Sequence, residues 1–114
     1  MPFDALPVET EIEVRHKRMR AVLWRMERML AKGWVQCAYE NDEGVCMVGA
    51  LHKATFLPAS KQGNEQFGPL GREVKAHLDS VLPWGSGIVA FNDHNSTTQH
   101  DVLAVVHKAI MVLE

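Results

Sequence analysis

One long amphipathic helix limits what this chain can become. Thr10-Glu11-Ile12-Glu13 has the form of a capping box, in which a hydroxyl and a carboxylate satisfy two orphan amides at a helix start. Apolar residues then recur at helical spacing, at Ile12, Met19, Val22, Leu23, Met26, Met29 and Leu30. Gly33 reads as a left-handed stop, and Trp34 after it can fold back on Met29 or Leu30. Ile12, His16, Met19, Leu23, Met26 and Leu30 alternate steps of four and three for fewer than three repeats. That is too short for a coiled coil, so the expected form is one helix of a packed bundle.

The rest of the chain supplies partners for that stripe. Residues 1–9, with Pro2 and Pro7, are expected to be an irregular arm, leaving 10–114 as one domain. Trp34 to Glu40 reads as a short strand or extended piece, and Asn41-Asp42-Glu43-Gly44 as a turn. A small hairpin is expected to lead into a second helix from about Cys46, stopped by Pro58. Residues 58–71, with three glycines and two prolines, read as irregular. Arg72 to Leu82 is the next helix, with Val74, Leu78, Val81 and Leu82 on one face. Gly87 to Phe91 is a strand or buried coil. The last helix is expected to begin near Ser96, through a capping box Ser96-x-x-Gln99, and to bury Val102, Leu103, Val106, Ala109, Ile110 and Leu113. The sum is a mainly-α domain of roughly four helices with one short hairpin or extended element.

Composition narrows the function classes. The net charge is −2, so nothing draws the whole molecule toward nucleic acid or an anionic membrane. Yet seven basic residues and one acid, Glu27, fall between Arg15 and Lys32, a net +6 in 18 residues. No apolar run approaches the roughly 18–20 residues of a membrane span, and no signal peptide is visible. Two cysteines, Cys37 and Cys46, make no disulfide framework. A cytoplasmic protein with reduced thiols is expected, of bacterial or phage type.

Each candidate for chemistry has a plainer alternative. Cys46 sits where a helix begins, where amides and dipole favour thiolate, and Asp93 and His94 would complete a Cys-His-Asp set. The plainer reading makes Cys46 a small buried residue beside Gly49-Ala50. Six histidines lack the tight pairs of a zinc site, so no metal and no cofactor are expected. Asn92-Asp93 can bind a ligand, or can cap the turn before the last helix. The basic helix can lie on phosphates, or can be the solvated face of an amphipathic helix. Trp24, amid Arg20, Arg25 and Arg28, fits a protein interface better than a solvated face.

Three short motifs occur in order along most of the chain. They are Gly33-Trp34, then Cys46 ahead of Gly49-Ala50-Leu51, then Phe91-Asn92-Asp93 before the last helix with Thr98, Asp101-Val102-Leu103 and Lys108-Ala109-Ile110. Together they resemble a family of small uncharacterised bacterial and phage proteins, a domain of unknown function numbered 6197. The chain departs from that pattern in its glycine-rich 58–71 and its histidine-rich final loop. The resemblance implies a fold and no activity.

The expected function is a small interaction or accessory module without catalysis. It would bind a protein partner, or itself as a homodimer, through the first helix and the Phe91–Gln99 loop, using Trp24, Arg20, Arg28, Asn92 and Asp93. Nucleic-acid association through the basic helix is the alternative, and a cysteine-dependent small enzyme the third reading.

Overall fold

Thr10 starts the first helix as its spacing predicts. In a computed structural model that describes residues 10–55, 68–83 and 85–114, its Oγ1 accepts from the Glu13 amide at 3.1 Å and caps α1, Glu11–Lys32. The Glu13 carboxylate does not complete the box; it accepts from the Thr10 hydroxyl itself. Met19, Val22, Leu23, Met26 and Leu30 form the buried stripe, while Ile12, the first position of the expected seam, is exposed. The expected arm, 1–9, lies outside the described residues.

Gly33 ends α1 for a reason other than the one expected. Its backbone is extended, with φ −175°, and not left-handed. A side chain there would overlap the Glu43 carbonyl, so glycine is required by close approach. The chain leaving α1 then runs beside the returning hairpin. Val35 N donates to Val45 O and Val45 N to Gly33 O, both at 3.0 Å. The expected strand from 34 to 40 shrinks to β1, Glu40–Asn41, paired antiparallel with β2, Gly44–Val45. Cys37 breaks the extended run with a φ of 62°.

Cys46 caps the second helix, α2, Met47–Ala54. Gly49, in its first turn, lets the helix sit against the Tyr39 carbonyl, which a Cβ would overlap. The helix ends at Thr55, whose hydroxyl contacts the carbonyls of Leu51 and His52 at 2.9 and 3.0 Å. The expected stop at Pro58 lies outside the described residues.

The next helix starts earlier than expected. α3 spans Gly68–Val81, because a proline in a first turn has no amide to lose and a φ already suited to the helix. The expected strand or coil at 87–91 is instead a short helix, α4, Ile88–Asp93. Its cap comes from elsewhere, since Asp79 Oδ1 of α3 accepts from the Ile88 amide at 3.0 Å. The last helix, α5, spans Gln99–Val112 and is capped by Thr98 with Asp101, not by Ser96 with Gln99. Ser96 turns to His94, and Gln99 Nε2 reaches back to the carbonyls of Leu30 and Ala31 at the end of α1.

The described residues therefore form five helices and one two-stranded hairpin. α1 packs against both α2 and α5, and α3 closes over them. Leu23, Met26, Leu30, Leu51, Leu78, Val106 and Ile110 are buried as expected, and Leu103 lies at the core's margin, half-buried. Two arginines of α1 stitch the bundle by donating to carbonyls at other helix ends. Arg25 Nε reaches Ala54 O at 2.9 Å and Arg20 Nη1 reaches Leu113 O at 2.6 Å. No helix of the described residues is long and apolar enough to cross a membrane.

Candidate functional site

The segment that leaves α1, the start of α2 and the end of α4 meet at Asn92. Only 1 % of this residue is exposed. Its Oδ1 accepts from Trp34 Nε1 at 2.7 Å and from the Met47 amide at 3.0 Å. Its Nδ2 donates to Val35 O at 3.1 Å and to Asp93 Oδ1 at 2.9 Å. A carboxamide offers two donor hydrogens and two acceptor lone pairs. All four are taken, so Asn92 has nothing left for a ligand and serves as a clamp.

Asp93 is exposed beside it. Its Oδ1 also accepts from the Cys37 amide at 2.9 Å, which fixes the left-handed backbone at Cys37. This corrects the expected cap on the final helix: the carboxylate points back to the 35–38 segment, away from α5. Among the described residues its Oδ2 has no hydrogen-bond partner. Asp93, Cys37, Ala38, Tyr39, Val48 and Val89 line a hollow of about 440 Å³.

Cys46 and His94 belong to the same corner but not to an activated set. The Cys46 thiol is buried, and Sγ accepts from the Gly49 amide at 3.3 Å. Burial raises its pKa; bonds from Gly49 and Val48 oppose this, and the negative charge of Asp93 adds to the rise. The helix start therefore does not win over desolvation, and the thiol stays neutral. The His94 ring is turned to Ser96, with Nδ1 accepting from the Ser96 amide at 3.1 Å. Cys37 and Cys46 are both free thiols, the first exposed and the second buried. Among the described residues no group of three or more His, Cys, Asp or Glu is placed to hold a metal ion.

The second candidate surface lies on α1 and α5. Trp24 is 43 % exposed. Its ring centroid is 6.0 Å from that of His107 on α5, and His107 Nε2 stands 3.5 Å from Glu27 Oε1. Met111, one turn beyond His107, is 71 % exposed. Arg20 and Arg28 flank Trp24 one turn to either side, and Arg28 is exposed. The basic helix is thus not one continuous cationic strip. Arg15 meets Glu73 at 3.4 Å, while Arg20 and Arg25 are held by carbonyls. The contribution of α5 was hidden in the sequence, because His107 meets Trp24 only once the two helices pack.

Five helices, a short hairpin and a clamped Asn-Asp step among the described residues define a small mainly-helical domain. Residues 14–112 match the family of unknown function DUF6197, and the chain belongs to that family. No curated protein and no solved structure matches it.

Proposed function

We propose that this domain is a small interaction module that binds an acidic protein partner through the Trp24 face. The exposed Trp24 between two arginines carries the reading. Tryptophan, arginine and methionine are the residues enriched where protein interfaces concentrate their binding energy. Trp24, His107 and Met111 supply apolar and aromatic area, and Arg20 and Arg28 supply charge beside it. That charge favours an acidic partner over a second copy, whose own arginines would be brought against these. A reducing cytosol, bacterial or phage-directed, suits a chain whose two thiols are unpaired.

Nucleic acid is the less supported partner, since Arg15 and Arg25 of the basic helix already have partners within the fold. Catalysis through Cys46 is less supported still, because the thiol is buried and neutral.

The test is affinity capture from the source cell with wild type and Trp24→Ala, followed by titration of the purified partner. Trp24→Ala should weaken binding about tenfold or more, near 1.4 kcal/mol, with an unchanged circular dichroism spectrum. A partner that Trp24→Ala binds as well as wild type would refute the proposal. Tight duplex DNA binding that falls steeply with salt would replace it with the nucleic-acid reading.

A further inference from the structure

The hollow beside Asp93 has no part in the Trp24 face, and its chemistry points to a ligand of its own. We infer that it takes a cationic head, a primary ammonium or a guanidinium, carried on a short apolar stem.

The carboxylate comes first. Asp93 Oδ1 is fixed by the Cys37 amide at 2.9 Å and by Asn92 Nδ2 at 2.9 Å, while Oδ2 has no described hydrogen-bond partner. No described lysine, arginine or histidine forms an ion pair with it. A carboxylate held in place by two donors, with its second oxygen unengaged, is set to receive an N–H donor without reorganising. An anion would be repelled, and among the described residues no group of three or more His, Cys, Asp or Glu is placed there to hold a metal ion.

The walls come second. Val89 from α4, 43 % exposed, and the exposed Ala38 offer apolar surface, and the buried Val48 of α2 also lines the hollow. Tyr39 adds an aromatic ring, which attracts cations. The volume of about 440 Å³ lies in the range of small-molecule pockets, about 300–1,000 Å³. Acid, aromatic and aliphatic surface in one hollow match an amine with a carbon stem.

Cys37 gives the hollow a reporter. It is exposed while Cys46 is buried, so a thiol reagent reads this place first.

The experiment titrates uniformly 15N-labelled full-length protein with butylammonium, agmatine, a blocked lysine and, as the neutral control, pentanol. Amide shifts should concentrate at Cys37–Tyr39, Val89 and Asp93, and alkylation of Cys37 by iodoacetamide should slow as the site fills. Asp93→Asn keeps the Oδ1 acceptor and removes the charge; it should weaken amine binding about tenfold or more. Val89→Lys, at an exposed position, should place its own ammonium at the hollow and abolish binding. Trp24→Ala should bind amines as wild type does, which separates this site from the interaction face. Free amines binding in preference to blocked lysine would assign a small metabolite-like ligand. Preference for blocked lysine would assign a side chain of a polypeptide. Either result upholds the cationic class. Pentanol shifting the same amides equally, or either hollow variant titrating like wild type, would overturn it.

Discussion

Asn92 joins three stretches of chain that are far apart in sequence, and its replacement should be costly. In Asn92→Ala the Trp34 indole N–H, the Met47 amide and the Val35 carbonyl lose their partner. Each buried orphan costs about 1–3 kcal/mol, so a loss of more than about 3 kcal/mol is expected in urea unfolding. Asn92→Asp should be no milder, because an acceptor would then face Val35 O and Asp93. A loss under 1 kcal/mol for the alanine variant would refute the clamp. The step Asn92-Asp93 stood out in the sequence as short polar side chains ahead of a helix. Their partners at 34, 35, 37 and 47 could not be read there, because no local pattern reports a contact across 45 residues or more. Cys46 carries a second prediction. Burial favours its neutral form in the fold, so the native state keeps the proton to higher pH than the unfolded chain. That contribution is present in full well below the unfolded thiol's pKa of about 8.5 and is lost as pH rises through the folded value. Between pH 7 and 10 the wild type should lose stability faster than Cys46→Ala, whereas parallel curves would contradict the shift.

Helix ends show where local signals suffice and where they fail. The start of α1 was legible because Thr10 and Glu13 lie within one turn of each other. The start of α5 was expected at Ser96 with Gln99, whereas Thr98 with Asp101, two residues on, forms the box. α4 was not legible as a helix at all. It is only six residues long, four apolar ones followed by Asn92-Asp93, and is capped by a carboxylate nine residues upstream. Gly49 yields a prediction at this scale. In an ordinary helix Gly→Ala gains up to about 1 kcal/mol. Here the new Cβ would overlap the Tyr39 carbonyl, which is backbone and cannot swing aside. Gly49→Ala should therefore destabilise, by about 1–3 kcal/mol as overpacking does. A rise in melting temperature would show that α2 can move off Tyr39.

For the molecule as a whole, the stripe of α1 predicted the core it meets. Leu51 is fully buried between α1 and its neighbours, so Leu51→Ala should cost about 2–5 kcal/mol by thermal or urea unfolding. Leu103, half-buried, should cost clearly less, and equal losses would place the core's edge elsewhere. The hollow at Asp93 was beyond the sequence, because Val48, Val89 and the 37–39 segment converge only through the clamp. That clamp also bears on the order of events during folding. α1 and the hairpin close through contacts a few residues apart, whereas the bonds of Asn92 to Met47 and Trp34 span 45 and 58 residues. Long closures form late, after the transition state has gathered nearby contacts. Asn92→Ala should then leave the refolding rate in stopped flow almost unchanged and speed unfolding by most of its stability loss. The residue that fastens the corner would act as the latch on the native state's lifetime, while the speed of reaching that state is set by the helices.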